Sequence, residues 1–129
     1  MENNKYLVFV LLLSACAYSA KKLIIKEIHT DKLVATWYRE SYISNTRAFV
    51  SANIGGKEEI ILDCQDGQIT DINIKKDTIF IRFFGSQSHN IYSRKQIFDK
   101  YRVEISSVTY EEWNRYYHPE LFDKKSGNK

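Results

Sequence analysis

The chain has 129 residues, of which 43% are hydrophobic and 14% aromatic, with a single proline and a formal net charge of +3 at pH 7. This length and composition predict one folded domain with a hydrophobic core and exclude an intrinsically disordered chain. Lysines and arginines are interleaved with acidic residues and form no long basic stripe, so the charge does not indicate nucleic-acid binding.

An apolar run from Tyr6 to Cys16 ends in small residues. A membrane-spanning helix needs about 20 apolar residues, and here polarity returns at Lys21 and Lys22, so the run predicts the hydrophobic region of an export signal. Its last four residues, Leu13-Ser14-Ala15-Cys16, resemble the lipobox of bacterial lipoproteins. The resemblance implies cleavage before Cys16, lipidation of the Cys16 sulfur and attachment to a membrane.

Ordinary secretory cleavage competes with this interpretation. Ala15-Cys16-Ala17 has the small-x-small pattern of a soluble secretory signal, and cleavage after Ala17 would release a free protein. With lipidation, the chain divides into a signal peptide (1–15), a tether to the lipid (16–22), a single β-rich domain (23–123) and a disordered basic tail (124–129). Lys21 and Lys22 would then lie beside the lipid headgroups.

The plan of a lipobox, short strands and a basic tail is similar to that of small lipoproteins of Gram-negative envelopes. This resemblance implies a place in the bacterial cell envelope. Ala17 rather than aspartate follows Cys16, which implies the outer membrane, facing the periplasm, in a host that sorts lipoproteins as enteric bacteria do. Both cleavage routes leave Cys64 as a lone thiol in an oxidising compartment, so we expect Cys64 to be buried.

The first predicted elements are three strands. Residues Leu33 to Tyr42 alternate with both faces partly apolar, which predicts a central strand. Arg47 to Ile54 and Lys57 to Cys64 alternate in the same way, and Gly55-Gly56 between them predicts a tight hairpin turn. In the third strand this alternation puts Glu58, Ile60, Leu62 and Cys64 on one face, opposite Lys57, Glu59, Ile61 and Asp63.

Further strands are predicted at Gln68 to Ile74, with a bulge near Thr70, at Thr78 to Phe84 and at Tyr101 to Ile105. A polar loop is predicted at Gly85 to Asn90. Each gap is too short for a crossover helix. The predicted fold is therefore mainly β, an antiparallel β-meander in the form of a sandwich or a partly closed barrel, with a short C-terminal helix.

That helix is predicted from Thr109-Tyr110-Glu111-Glu112, which has the spacing of a capping box, and it should end before Pro119. On a helix, Tyr110, Trp113 and Tyr117 share one face. This face has two interpretations: an aromatic platform for a sugar or a protein, or a surface that closes one end of the sheet. The second is the ordinary role of an amphipathic helix and is the one we favour.

No catalytic or metal-binding pattern is found. His29, His89 and His118 are far apart in the sequence, and Asp63, Asp66 and Asp71 lack the spacing of a calcium loop, so we expect no metal and no cofactor. No nucleophile elbow or phosphate loop occurs.

Three function classes remain. The favoured one is a membrane-anchored, non-enzymatic envelope protein that binds another protein, as inhibitors and immunity proteins do. The second is a lipid or saccharide carrier, suggested by Trp37, Phe83, Phe84 and Trp113. The third is a small hydrolase. Candidate binding residues are the polar and aromatic side chains around the loop between Phe84 and Ile91: Arg82, Gln87, His89, Tyr92 and Arg94.

Overall fold

The computed structural model describes residues 21–123. The predicted signal peptide, Cys16 and the predicted tail at 124–129 lie outside the described residues. The described chain is mainly β, in two sheets with short helices and no closed barrel, which confirms the predicted fold class.

The first sheet has five antiparallel strands in the order β1-β2-β3-β4-β7. They are β1 (Lys21–His29), β2 (Leu33–Ser41), β3 (Thr46–Ile54), β4 (Lys57–Gln65) and β7 (Ile91–Arg94). The second sheet has the order β5-β6-β9-β8. Its strands are β5 (Ile69–Lys75), β6 (Thr78–Phe83), β9 (Tyr101–Ser107) and β8 (Ile97–Phe98). The helices are α1 (Gln87–Asn90), α2 (Tyr110–Tyr117) and α3 (Glu120–Asp123).

One strand pair departs from a simple meander, because β6 and β9 run parallel. A parallel pair requires a crossover connection. Here the connection is not a long helix: the chain leaves β6, forms the short helix α1, adds β7 to the edge of the first sheet and returns through β8. The predicted polar loop at 85–90 therefore contains helix α1. This segment leads the chain from the second sheet to the first.

The two sheets enclose one hydrophobic core. Its large members from the first sheet include Leu33, Trp37 and Leu62, and those from the second include Ile72, Ile81 and Phe83. Cys64 is fully buried in it, as predicted. The burial of these apolar side chains away from water is the main force holding the sheets together.

The predicted faces of strand β4 are wrong in part. Val50 of β3 pairs with Leu62, and the next residue, Ser51, pairs with Ile60, so Ile61 is an extra residue in a β-bulge. The bulge breaks the alternation. Ile61 is consequently buried and Ile60 is exposed, the reverse of the predicted pattern in which Ile60 shares a face with Cys64.

Two other local predictions are confirmed. Gly55 and Gly56 join β3 to β4 with φ angles of 60° and 86°, which are the positive values that a type I′ hairpin turn requires. In β5, the register shifts between Ile69 and Asp71, so the extra residue is Thr70, as predicted. Strand β1 begins at Lys21, within the range expected for the tether.

The strands define two ends of the sandwich. The hairpin end carries the turns Gly55–Gly56, Lys76–Asp77 and Asp99–Lys100. The tether end, where the described chain begins at Lys21, carries the β2–β3 loop (residues 42–45), the β4–β5 turn (66–68) and helix α2. Thr109 caps α2 by accepting a hydrogen bond from the Glu112 amide, and the helix ends before Pro119, both as predicted.

Candidate functional site

The five predicted binding residues belong to different parts of the described structure. Arg82 is on β6 of the second sheet, Gln87 and His89 are on α1, and Tyr92 and Arg94 are on β7 of the first sheet. No hydrogen bond or ion pair within residues 21–123 joins any two of them. The loop therefore separates these side chains instead of gathering them into one site.

Tyr92 belongs to a cluster on the first sheet. The Arg47 guanidinium lies 4.6 Å from the centre of the Tyr92 ring and 5.9 Å from that of Phe49. It also donates two hydrogen bonds to the Asp63 carboxylate, at 3.0 and 2.5 Å. A bidentate pair of this kind fixes both side chains. The charge of Arg47 is already paired with that of Asp63, so we assign this cluster to the stability of the sheet.

Arg94 also has a structural contact. Its guanidinium donates a hydrogen bond of 3.2 Å to the backbone carbonyl of Val103, which is in β9. Because β7 is an edge strand of the first sheet and β9 is an inner strand of the second, this bond links the two layers. The exposed side chain of His89 makes no contact of this kind within the described residues.

Arg82 lies in a groove on the solvent-facing side of the second sheet. The groove has a volume of about 430 Å³ and crosses β5, β6 and β9. Basic and acidic side chains and one aromatic ring line it. We call it the Arg82 groove; its lining residues are Asp71, Ile72, Asn73, Lys75, Phe80, Arg82, Glu104 and Ser106.

The Thr70 bulge provides one wall of this groove. Side chains of a regular strand alternate, so without an extra residue Asp71 would share the buried face of Ile69. The bulge turns Asp71 outward, where it pairs with Arg82 in the register of the sheet. The Asp71 carboxylate receives the Lys26 ammonium of β1 at 2.6 Å. An irregularity in β5 thereby places a carboxylate beside the central arginine.

Helix α2 holds the Arg82 guanidinium in place. The Glu112 carboxylate accepts hydrogen bonds of 2.7 and 2.8 Å from Arg82 Nη2, and Ser106 Oγ accepts one of 3.0 Å from Nη1. Glu112 is in the first turn of α2, where a negative charge is favourable. The arginine is therefore ordered before any partner arrives, which lowers the entropic cost of binding through it.

The aromatic face of α2 fastens the helix to the tether end of the sandwich. Trp113 Nε1 donates to the Gly67 carbonyl at 2.8 Å, and the Tyr117 hydroxyl donates to the Ile69 carbonyl at 3.0 Å. Burial raises the pKa of Tyr117 to about 12. Of the predicted aromatic platform, only Tyr110 is mostly exposed, at 66%. These contacts support the favoured interpretation, a helix that closes the end of the sheet.

The aromatic residues that suggested a carrier are largely committed to packing. Trp37 and Phe83 are core residues with 2% and 0% exposure. The Trp37 ring packs 5.6 Å from that of Tyr116, and Phe84 packs 5.1 Å from Trp113. These rings stabilise the fold through their packing against one another.

Nucleophilic and metal chemistry find little support in the described residues. Burial raises the pKa of the Cys64 thiol to about 12, so it stays protonated at neutral pH, and the thiolate is the reactive form. No group of three or more histidine, cysteine, aspartate or glutamate side chains within residues 21–123 could hold a metal ion. Across the same range, no helix is long and apolar enough to cross a membrane.

Sequence reasoning found Arg82 but missed its neighbours. Asp71, Phe80 and Glu104 come from three strands whose order in the sheet is not sequential. The alternation of each strand indicates which of its side chains face the solvent. Only the parallel pairing of β6 with β9 brings the solvent-facing side chains of these strands together. Comparison of the chain with family models, curated proteins and solved structures finds no match.

Proposed function

We propose that this protein is a lipid-anchored, non-enzymatic module of the bacterial cell envelope that binds another protein through the Arg82 groove. The observation that carries the binding proposal is the fixed Arg82 guanidinium in an open groove, flanked by the Asp71 and Glu104 carboxylates. Arginine is enriched at energetically important positions of protein interfaces. The expected partner is a protein segment that carries both signs of charge.

The lipid anchor is proposed on the lipobox-like sequence that ends at Cys16. Two or more acyl chains would give stable attachment, because one chain alone binds a membrane only marginally. Mass spectrometry of the N-terminal peptide tests this: we expect cleavage before Cys16 and the added mass of the acyl groups. An unmodified N-terminus at Tyr18 would contradict the anchor and leave a soluble secreted protein.

Site-specific photo-crosslinking in living cells tests the binding site. A photoreactive residue replaces Asn73, which is exposed in the groove, or His89, which is exposed on α1 outside it. We expect a discrete protein adduct from position 73 and none from position 89. An adduct from position 89 alone would overturn the groove and favour the loop predicted from the sequence.

A pair of arginine variants controls for general loss of charge. Arg82→Ala should abolish the adduct at position 73, whereas Arg115→Ala should leave it unchanged. Arg115 is a matched control because it also pairs with a glutamate of α2, Glu111, at 2.9 Å, but does not line the groove. Equal adducts in both variants would remove Arg82 from the interface. Hydrolysis by the purified protein that His89→Ala abolishes would overturn the non-enzymatic assignment.

A saccharide is the second candidate ligand, favoured by one observation. The half-buried ring of Phe80 lies in the groove together with the Asp71 carboxylate and the Asn73 amide. An aromatic face with nearby hydrogen-bonding groups is a suitable surface for a sugar ring. Titration of the protein with soluble cell-wall glycan fragments tests this candidate. A saccharide site should bind the fragments and lose affinity for them in Phe80→Ala. A wild-type protein that binds no fragment would speak against a saccharide site.

A further inference from the structure

We propose that the tether end of the first sheet docks directly onto an anionic lipid surface. The docking patch consists of the start of strand β1 and the tip of the β2–β3 loop: Lys21, Lys22, Leu23, Ile24, Tyr42 and Ile43. This proposal rests on the lipid anchor proposed above and specifies which surface of the domain faces the membrane.

The apolar part of the patch is unusually exposed. Ile43, at the tip of the loop, is 92% exposed, the highest value among the exposed large hydrophobic residues of the described chain. Tyr42 beside it is 43% exposed, and Leu23 and Ile24 of β1 are 60% and 52% exposed. Scattered apolar residues on a surface are ordinary, but a group of them at one end of a domain indicates a surface that is covered in use.

Strand register brings these residues to the same end. Lys21 pairs with Ser41, the last residue of β2, and Tyr42 and Ile43 follow directly. The loop is held closed by a hydrogen bond of 2.7 Å from the Tyr42 amide to the Asn45 carbonyl. Ile43 is therefore presented on a supported turn next to the point where the described chain begins.

Charge at this end favours an anionic surface. Arg39 pairs with Asp66, Arg47 pairs with Asp63, and the Tyr42 hydroxyl donates to Glu40. Neither Lys21 nor Lys22 has a carboxylate partner within residues 21–123, and the Lys22 ammonium lies 4.1 Å from the centre of the Tyr38 ring. Glu40 lies opposite Lys22 in the strand register, so the two lysines leave this end with a small excess of positive charge. Excess positive charge beside apolar side chains is the combination that binds headgroups and the acyl boundary together.

The length of the tether selects lipid as the occupant. Four residues lie between Cys16 and Lys21 in the sequence, so five steps from one Cα atom to the next join them. A fully extended segment of five residues spans at most about 17 Å, so an acylated Cys16 would hold Lys21 within that distance of the bilayer. Full burial of one isoleucine changes a partition ratio by more than about tenfold, so insertion of Ile43 alone would favour the docked orientation.

Depth-dependent fluorescence quenching tests the proposal on the complete acylated protein. Ile43→Cys carries an environment-sensitive fluorophore, and Asp31→Cys, exposed in the β1–β2 turn at the hairpin end, is the control. Buried Cys64 should not label, and acylation blocks Cys16. The protein is reconstituted in vesicles of phosphatidylethanolamine and phosphatidylglycerol that carry nitroxides on their acyl chains. We expect quenching of the label at position 43 and none at position 31.

Charge variants sharpen the test. Lys21→Gln and Lys22→Gln should each lower the ratio of docked to undocked protein about fivefold, because a lysine near an anionic surface contributes in that proportion. Lys57→Gln and Lys100→Gln, at the hairpin end, should have no effect.

The possible failures are distinguishable. Acylated protein whose label at position 43 stays in water overturns the docked surface and leaves the anchor intact. Quenching that appears only as the protein associates with a second copy or with another protein assigns the patch to that partner and overturns the lipid surface. Absence of acylation in the mass spectrum overturns the anchor and this proposal together.

Discussion

The two ends of the sandwich are held by different kinds of interaction. At the hairpin end, turns of two residues reverse the chain, and positive φ angles occur at Gly55, Gly56, Lys76 and Asp99. At the tether end, longer connections are held by side chains, as in the hydrogen bonds from Trp113 to Gly67 and from Tyr117 to Ile69. Positive φ angles also occur at the tether end, at Gly67 and Gly85, so the added side-chain contacts are what distinguish that end.

The difference separates stability from recognition. The hairpin end needs few side chains, so its residues are mostly charged and solvated. The tether end gathers a connected series of aromatic rings under α2, and the same helix positions Glu112 against Arg82. The rings of the series are those of Phe84, Tyr110, Trp113, Tyr117, Tyr116 and Trp37. Both proposed surfaces therefore depend on the end that side chains hold, which predicts that damage there affects function first.

Trp113→Ala should have the largest effect. It removes the contacts with Phe84, Tyr110 and Tyr117 and the hydrogen bond to the Gly67 carbonyl, and truncation of a large aromatic residue of this kind costs about 3 kcal/mol. Hydrogen exchange should accelerate at the tether end and remain slow in β3 and β4. Trp113→Phe, which keeps a ring, should cost about 1 kcal/mol. Uniform acceleration across the sandwich would show that the ends are not independent.

Gly56→Val tests the opposite end. No atom lies within 4 Å of the position that a Cβ would occupy, so the penalty comes from the φ angle of 86° and not from a clash. We expect a loss of about 1 to 3 kcal/mol in urea unfolding, with unchanged capture of the partner. Gly55→Asn, a residue that tolerates positive φ, should be nearly neutral. Lys57→Val, at an exposed position, is the control. An equal loss of unfolding free energy in Gly56→Val and Lys57→Val would exclude backbone strain as the cause.

The same division explains how far the sequence predicts the structure. The Gly55-Gly56 turn, the Thr70 bulge and the Thr109 cap are local features, and each has a signature within a few residues. The Ile61 bulge has none, because Ile60 and Ile61 are equally apolar and tertiary packing decides which is buried. Strand β1 was not predicted either, since its register shift between Ile24 and Lys26 breaks the alternation.

The candidate site shows the limit most clearly. Arg82 could be singled out as a polar residue beside an aromatic strand, but Glu104 joins its groove only through the parallel pairing of β6 and β9. That pairing spans more than a dozen residues and depends on the return of the chain from the first sheet. Long-range pairing of this kind is decided by the packing of the whole domain and leaves no local pattern.

Alkaline pH should lower the free energy of unfolding through the buried Cys64 thiol. Burial raises the pKa of Cys64 from 9.0 to about 12. Between these values the unfolded chain releases a proton that the folded chain retains, so the free energy of unfolding falls as pH rises from 9 toward 12. We expect a loss of about 1 kcal/mol between pH 7 and pH 10 from this group.

Cys64→Ala isolates that contribution. Relative to its own stability at pH 7, the variant should remain level to about pH 9, above which tyrosines of the unfolded chain begin to ionise. Above that pH both proteins should lose stability, because burial also raises the pKa of Tyr38 and of Tyr117 to about 12. Urea unfolding at several pH values measures the difference. Parallel profiles for the two proteins would mean that the Cys64 thiol is not buried in solution.

Thr109→Ala should have the smallest effect on stability and a larger one on binding. The Thr109 side chain accepts the Glu112 amide at 3.2 Å, and loss of an exposed cap of this kind costs about 0.5 to 1 kcal/mol. Fraying of the first turn of α2 displaces Glu112, which holds Arg82 by two hydrogen bonds. Capture of the partner at position 73 should therefore fall while the melting temperature changes little. Thr109→Ser, which keeps a capping oxygen, should restore capture. If Thr109→Ala captures the partner normally, Arg82 does not need α2 to hold it in place. Its contacts within the sheet, such as that with Ser106, would then be sufficient for binding.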